Sequence, residues 1–420
     1  MNSENADIDK EEFVNVISHL CGTDVHFSEN YIEDLKNAIS KYTSDHKVVD
    51  KIGECGSNCI LEDGKTPCME SCPFDAVLKG DSGMLIDTDK CADCGSCVEA
   101  CKRDKFLDRV EFIPLLNIIK SGKPVIAVVA PAIAGQFGEN VSINKIRSAL
   151  KKLGFTDMLE VAFFADMLTL KESAEFDNYV NDKKNFMITS CCCPIWVGMT
   201  RKIYKDIVKY VSPSVSPMIA AGRVIKKLNP ECKVVFIGPC IAKKAEAKDK
   251  DLLGAIDFVL TFTELKDIFD ALSIKPQNCS EDFSSEYASR GGRLYGRSGG
   301  VSTAVSDAVK RLYPEKSKFL TSLYVSGIKE CRNVLQKVHN GEITANFIEG
   351  MGCIGGCVGG PKAIIPVKKG EKNVNETAES SAIKVSVDSS CMKNILKKIG
   401  INSNKDFKDK EKIQIFERKL

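Results

Sequence analysis

Apolar positions along the chain fall into two periods. Up to residue 45 they recur at helical spacing, Phe13, Val16 and Leu20 followed by Tyr31, Leu35 and Ile39, with Ser28 or Asn30 as caps. This predicts a helical extension over 1–45. Further on, short continuous apolar runs alternate with helix-period segments: Pro124 to Pro131, Phe186-Met187-Ile188, Val234-Val235-Phe236-Ile237, Phe258-Val259-Leu260 and Leu323-Tyr324-Val325. Runs of this length bounded by turn residues read as buried strands. Their alternation with helices predicts a parallel α/β architecture over 113–365, with ligand groups in crevices beyond the C-terminal ends of the strands. After it, Lys368-Lys369-Gly370-Glu371-Lys372-Asn373 predicts a flexible polar loop over 366–380. Met392, Ile395, Leu396 and Ile399 then predict a C-terminal helix packed on that domain, so that 366–420 is loop plus helix.

Composition adds little to this picture. A length of 420 residues suggests two or three domains. Lys+Arg 59 against Asp+Glu 57 leaves a net charge of +2, which favours neither nucleic acid nor an anionic membrane as partner. The N-terminal Met1-Asn2-Ser3-Glu4-Asn5-Ala6-Asp7 is polar and acidic, and no later apolar run reaches membrane-spanning length, so a cytoplasmic location is expected.

Cysteine usage changes the picture more. Nineteen cysteines exceed what packing needs, and they are grouped in a chain too large to be a small secreted disulfide scaffold, which points to metal. The four histidines, His19, His26, His46 and His339, form no ligand-spaced pair with a cysteine motif. Thiolate-only sites fit iron–sulfur clusters better than mixed Cys/His zinc, while zinc held by four cysteines stays open on ligand type alone. Cys21 and His19 read as packing or surface residues.

Within 46–112 the spacing becomes regular. Cys91, Cys94, Cys97 and Cys101 form C-x-x-C-x-x-C-x-x-x-C, the bacterial ferredoxin run in which three cysteines hold one 4Fe-4S cluster and the fourth reaches the other. Cys55, Cys59, Cys68 and Cys72, with Pro73 after the last, form a looser upstream partner. On this reading Cys55, Cys59, Cys68 and Cys101 bind one cluster and Cys72, Cys91, Cys94 and Cys97 the other. Two such clusters in a small α+β domain make an electron wire. Its alternative is a pair of structural zincs.

Three further motifs follow strand candidates: Thr189-Ser190-Cys191-Cys192-Cys193-Pro194-Ile195-Trp196, Gly238-Pro239-Cys240-Ile241-Ala242-Lys243-Lys244-Ala245-Glu246, and Glu349-Gly350-Met351-Gly352-Cys353-Ile354-Gly355-Gly356-Cys357. Strand-to-helix turns present backbone N–H groups and lower thiolate pKa values, and small residues let backbone approach something bulky. Together the motifs offer a four-thiolate set from three separated turns. A cluster of small buried thiols is the plainer reading of the triple cysteine.

The three motifs resemble the signature segments of the FeFe, or iron-only, hydrogenases. The resemblance covers residues from about 50 to 365. It implies a two-lobed parallel-sheet catalytic domain preceded by the ferredoxin-like domain. It also implies an H-cluster, a 4Fe-4S cubane joined through one cysteine to a two-iron unit carrying CO, cyanide and a dithiolate. Cys193, Cys240 and Cys353 would bind the cubane, Cys357 would bind it while bridging to the two-iron unit, and Cys192 matches the proton-delivering thiol. Lys243 matches a donor to a cyanide ligand; without the cysteine context, Lys243 and Glu246 read as a solvated helix face. Ala130, Pro131, Pro217, Met351 and Tyr295 would surround the two-iron unit. Glu172 and Glu175 match the relay glutamates, and Ser212 the relay serine between them and the thiol.

The chain also departs from the family pattern. Tyr179 stands where many members have arginine, Met218 replaces a common glutamine, Ala132 a serine and Gly238 a methionine, and Tyr295 stands where phenylalanine is frequent. Cys191 is additional. It is read either as packing or as a residue that loosens the Cys192 loop, letting that thiol approach the open iron and protect it from oxygen. The function implied is reversible reduction of protons to H2, with ferredoxin or a similar soluble electron carrier and the hydrogenase maturation proteins as partners. The competing readings are a slowly turning over H2 sensor and an iron–sulfur assembly protein of the related non-hydrogenase branch.

Overall fold

A computed structural model describes residues 47–52, 55, 59–61, 64–80, 83–182 and 185–420. The helical extension expected over 1–45 lies outside the described residues. The chain divides into two compact units, Met1–Lys120 and Ser121–Leu420, so the helix Phe112–Lys120 belongs to the first.

The first unit is built from two short antiparallel pairs. β1 (Val49–Lys51) pairs with β4 (Phe106–Asp108), and β2 (Val77–Gly80) pairs with β3 (Gly83–Ile86) as a hairpin in which Val77 faces Ile86. Helices α1 (Pro67–Glu70) and α2 (Ser96–Ala100) carry Cys68 and Cys97. Val49, Ile52, Phe74, Ala76, Val77, Met84 and Phe106 supply a thin core. Among the described residues that is little apolar mass, and clusters would add to it.

The second unit holds two sheets whose strands are all parallel. The strands in chain order are β5 (Val125–Val129), β6 (Asp157–Glu160), β7 (Met187–Ile188), β8 (Lys233–Gly238), β9 (Phe258–Thr261), β10 (Ser322–Ser326) and β11 (Phe347–Met351). One sheet runs β6-β5-β8-β9 and the other β10-β11-β7. The central strands β5 and β8 are almost fully buried, as uninterrupted apolar runs in a two-sided sheet should be. The sequence reading named neither β6 nor β11, because Asp157 and Glu160 in one and Glu349 and Gly350 in the other interrupt the apolar run. Helix α3 (Val161–Tyr179) is buried from Val161 to Phe176, Lys171, Glu172 and Glu175 included. It packs against helix α6 (Gly300–Leu312) beyond α4 (Pro194–Lys202) and α5 (Ala242–Glu246) in the chain.

The polar loop expected over 366–380 is instead a helix, α7 (Val367–Glu379). Gly370, Val374 and Ala378, four apart, form one narrow buried stripe, too small in apolar bulk to stand out in a lysine-rich segment. The helix Ser390–Lys398 buries Met392 and Leu396, and Ile399 is buried just beyond it. Two 3-10 turns follow, Asn404–Lys408 and Lys412–Phe416, and the chain becomes extended at Glu417; there the Val215 N–H donates to Phe416 O and the Arg418 N–H to Pro213 O, each at 2.8 Å.

Candidate metal centre

In the first unit, the same backbone device serves two cysteines. Asp75 and Asp104 stand three residues after Cys72 and Cys101 in the left-handed region, with φ of 50° and 52°. Each turn aims the next N–H back at the sulfur, Ala76 N to Cys72 Sγ at 3.2 Å and Lys105 N to Cys101 Sγ at 3.4 Å. Asp93, also at φ 50°, donates its own N–H to Cys91 Sγ at 3.4 Å. Aspartate tolerates this conformation better than most side chains, and N–H groups on sulfur tune cluster potentials. Cys72, Cys91, Cys94 and Cys97 line a single cavity, closed by Val49, Phe74, Ala76, Val77 and Ile86. Burial pushes the Cys94 thiol up to about 12, and the neighbouring Cys72 and Cys91 add to the rise. Cys68 is raised by burial and by the charges of Cys101 and Cys55. Cys72, Cys91, Cys94 and Cys97 thus lie together, and Cys68 lies within electrostatic reach of Cys101 and Cys55. Among the described residues no three His, Cys, Asp or Glu side chains close around a single metal ion.

In the second unit, every motif lies just past the C-terminal end of a parallel strand: Ala130-Pro131 after β5, the triple cysteine after β7, Cys240 after β8 and Cys353 after β11. Two close approaches set these turns. A Cβ on Gly350 would come within 2.2 Å of the Trp196 ring, and the indole N–H donates to Thr189 O at 2.8 Å, so the first and third motifs are locked together. A Cβ on Gly238 would come within 2.5 Å of Phe236, whose ring fills the space there.

Cys193 Sγ accepts from Gly352 N at 3.3 Å. Burial, with the charge of Cys193 adding and that of Lys243 opposing, raises Cys240 to about 12 and Cys357 to about 11. Cys353 sits in the same loop as Cys357, its carbonyl bonded by Gly356 N. Beside the thiols is a small, partly open cavity of about 40 Å³, lined by Ala130, Pro131, Val161, Ala165, Cys192, Pro217, Met218, Phe236, Lys243, Tyr295 and Cys357. Its wall is apolar except for one ammonium, one phenol and two thiols. Met351 is buried in the core cluster that also holds Tyr295, and Cys192 packs against that cluster. Cys192 is raised by burial, with Cys357 and Cys193 adding to the rise.

Lys243 is buried. Its ammonium lies 2.5 Å from Glu246 Oε2, which Ser216 Oγ also reaches at 3.0 Å, while Arg418 Nη1 holds Glu246 Oε1 at 3.0 Å. Burial works against the Lys243 ammonium, but Glu246 outweighs it and its pKa is raised. The solvated helix face open to these two residues in sequence terms is therefore a closed ion network. Glu349 of the third motif is structural: its carboxylate accepts from Gly299 N at 2.8 Å and Ser302 N at 2.7 Å at the start of α6.

The relay candidates lie on α3. Thr189 donates to Glu172, and burial pushes the Glu172 carboxyl up to about 8. Ser212 Oγ donates to Glu175 Oε2 at 2.6 Å and lies 2.9 Å from Ser214 Oγ. The Ser212 hydroxyl thus serves Glu175, and it is Cys191, not Cys192, whose thiol meets this serine, donating to its carbonyl at 2.8 Å. Cys191 is buried among Glu172, Glu175 and Lys171.

A family model described as the C-terminal domain of the iron-only hydrogenase large subunit matches residues 123–361. The chain belongs to the iron-only hydrogenase large-subunit family. Iron hydrogenase 1 of Clostridium pasteurianum is 26% identical over 78% of this chain and 74% of its own length. A cytosolic Fe-S cluster assembly factor of Xenopus tropicalis is 23% identical over 79% of this chain and 83% of its own. A solved [FeFe]-hydrogenase, studied for oxygen damage to its H-cluster, shares the fold with a TM-score of 0.60 at 20% identity, covering 72% of this chain and 97% of that one. No helix among the described residues is long and apolar enough to cross a membrane.

Sequence reasoning missed five residues of this iron-only hydrogenase unit that pack around its site. Thr189 stood inside a quoted motif and Lys171 directly before Glu172, but neither carried ligand spacing. Arg418 and Glu417 come from the far end of the chain, where no local pattern points to the site. Phe236 was read only as a strand residue, and its ring fills the space at Gly238, the position where a methionine is frequent.

Proposed function

We propose that the protein is an FeFe-hydrogenase that interconverts protons and electrons with H2. The observation that carries this is the cavity beside the Cys193, Cys240 and Cys357 thiols, with Cys192 and Lys243 both in its wall. Four thiols from three turns suit a cubane, held by Cys193, Cys240, Cys353 and Cys357. The largely apolar pocket next to it suits a second metal unit with neutral and anionic small ligands. When bound, that H-cluster supplies the low-valent iron on which the redox chemistry takes place.

The chain's own residues then bind, shield and move protons. Cys192 offers its thiol to the cavity as proton donor. Lys243, kept charged by Glu246, offers N–H groups to an anionic ligand. Ala130, Pro131, Pro217, Met351 and Tyr295 exclude water, with the Tyr295 hydroxyl engaged by Thr169 at 3.0 Å. Glu175, Ser212 and Glu172 bring protons to Cys192. Electrons come through 4Fe-4S clusters on Cys55, Cys59, Cys68 and Cys101 and on Cys72, Cys91, Cys94 and Cys97, from ferredoxin or a similar carrier in the cytoplasm.

The likeness to the Xenopus assembly factor supports a second reading, an iron–sulfur assembly protein without a two-iron unit. The Cys192 thiol and Lys243 ammonium in an otherwise apolar cavity favour the hydrogenase. Anaerobic expression with the maturation proteins followed by infrared spectroscopy decides between them. Iron-bound CO and cyanide bands with H2 turnover are expected, and their lack after competent maturation overturns the hydrogenase reading.

A further inference from the structure

The interior of α3 carries a lysine that the hydrogenase reading does not use. Lys171 has no exposed side-chain area, yet its ammonium faces a carboxylate on each side. Glu175 Oε1, one helical turn on, lies 2.5 Å away; Glu417 Oε1, from the extended C-terminal segment, lies 3.5 Å away; Ser214 Oγ accepts at 3.0 Å. Glu175 in turn takes the Ser212 hydroxyl on its other oxygen. Glu417 is the member that reaches water, its side chain 28% exposed against 9% for Glu175.

The position of Glu417 is fixed by its neighbours. Besides the backbone bonds of Phe416 and Arg418 to 213–215, Arg223 Nη1 donates to the Glu417 carbonyl at 2.7 Å. Tyr179, one turn beyond Glu175 on the same helix, is 60% exposed and brings neither a carboxylate nor a cation to that end.

We propose that Glu417 is the proton entrance of this chain, and that Lys171 carries protons from it to Glu175 and Ser212. The inference rests on the hydrogenase reading, since it supplies that site. A solvent proton adds to a Glu417 carboxylate oxygen. The Lys171 ammonium then gives one N–H proton to Glu175 as it takes the proton from Glu417. The ammonium is regenerated, no electrons move, and one proton has passed from the surface carboxylate to the buried one. At 3.5 Å the Glu417 contact is an ion pair rather than a hydrogen bond, so the step waits on rotation of the partly exposed glutamate. The other ionisable groups facing the passage are Glu172 from α3 and Cys191 from the turn, with the charge of Arg418 acting on that thiol.

The test uses the full, matured chain and its E417Q, E417D and K171M variants. Turnover with a reduced carrier is measured in H2O and D2O, alongside the CO and cyanide bands. E417Q is expected to lower turnover by at least about tenfold, short of the roughly 10²–10⁴ lost with a group that transfers directly to the reacting centre, because water can partly replace an entrance. The solvent isotope effect should rise as proton delivery becomes limiting, E417D should restore most of the rate, and the bands should stay in place. A second readout needs no cluster. In the unloaded protein the Glu175 carboxyl band, assigned by its loss in E175Q, should shift in E417Q and K171M. Turnover within about twofold of wild type with an unchanged isotope effect overturns the entrance, as does an unmoved Glu175 band. A wild-type chain lacking both CO and cyanide bands and H2 turnover overturns the hydrogenase reading and the passage with it.

Discussion

Replacing Glu246 by glutamine should destabilise the second unit far more than its place on a short lysine-rich helix suggests. The Glu246 side chain is 1% exposed, and its two oxygens are shared between the Lys243 ammonium, 8% exposed, and the Arg418 guanidinium, 4% exposed. Glutamine keeps the volume but removes the charge, leaving two buried cations facing an amide. Breaking a buried pair from one side costs about 3–5 kcal/mol. Arg418 keeps Asp249 at 3.4 Å, which favours the lower end, about 3 kcal/mol or roughly a hundredfold in the folding equilibrium. With a urea dependence of about 3 kcal/mol per molar, the midpoint should fall by about 1 M. The assay is equilibrium unfolding followed by the fluorescence of Trp196, the one tryptophan in the chain, which is fully buried in this unit. D270N is the control: it breaks the exposed Lys266–Asp270 pair, 49% and 66% exposed, and should move the midpoint by no more than about 0.3 M, since such pairs contribute about 0–1 kcal/mol. Adding K243M to E246Q should recover part of the loss. A midpoint shift for E246Q as small as that of D270N would refute the reasoning.

Gly238→Met should crowd the Phe236 ring and cost about 1–3 kcal/mol by overpacking; adding F236A should recover stability in urea unfolding, and no recovery would show that the ring is not the obstacle. Asp75→Gly should leave the first unit as stable as wild type, whereas Asp75→Ala should lose about 1–2 kcal/mol, because alanine cannot take φ 50° without strain; equal stability of the two variants would count against the left-handed turn. Burial holds the Glu172 carboxyl at about 8 against its ordinary 4.5. The folded chain therefore keeps a proton that the unfolded chain releases between those values, so this group makes stability fall as pH rises from about 4.5 to about 8. E172Q should flatten that fall, read as urea midpoints at pH 5 and pH 8, while Asp166, raised by burial to about 7, keeps a slope of the same sign; identical profiles for E172Q and wild type would refute the assignment.

What was legible in the sequence was local. Ligand spacing placed Cys91, Cys94 and Cys97 around one cavity with Cys72 because the two short intervals, 91–94 and 94–97, are each set within a single turn. Apolar runs marked β5, β8 and β9 because strands buried on both faces have no polar positions to disguise them. The helix α7 escaped because Gly370, Val374 and Ala378 bury almost no side-chain volume, so its stripe follows the helical period without an apolar signal. The ion network around Lys243 escaped for a different reason. Its closing member, Arg418, is 172 residues from Glu246, and no period or motif in a single sequence connects such partners.

The triple cysteine joins both kinds of information. Ser190, just before it, takes a left-handed backbone with φ of 67°, a conformation that non-glycine residues adopt mostly in tight turns. The thiols that follow diverge. Cys193 and Cys192 share electrostatic neighbours in Cys357, and Lys243 acts on Cys192 from the cavity wall. Cys191 has different neighbours, Glu172, Glu175 and Lys171, and gives its thiol hydrogen to Ser212. One turn therefore has a side toward the cavity and a side toward the carboxylates of α3. An effect of Cys191 on the turn must pass through its bond to the Ser212 carbonyl, which ties the turn to the residue whose hydroxyl holds Glu175. The Cys191 thiol thus ties the turn that carries Cys192 to the backbone of Ser212, the residue whose hydroxyl holds Glu175.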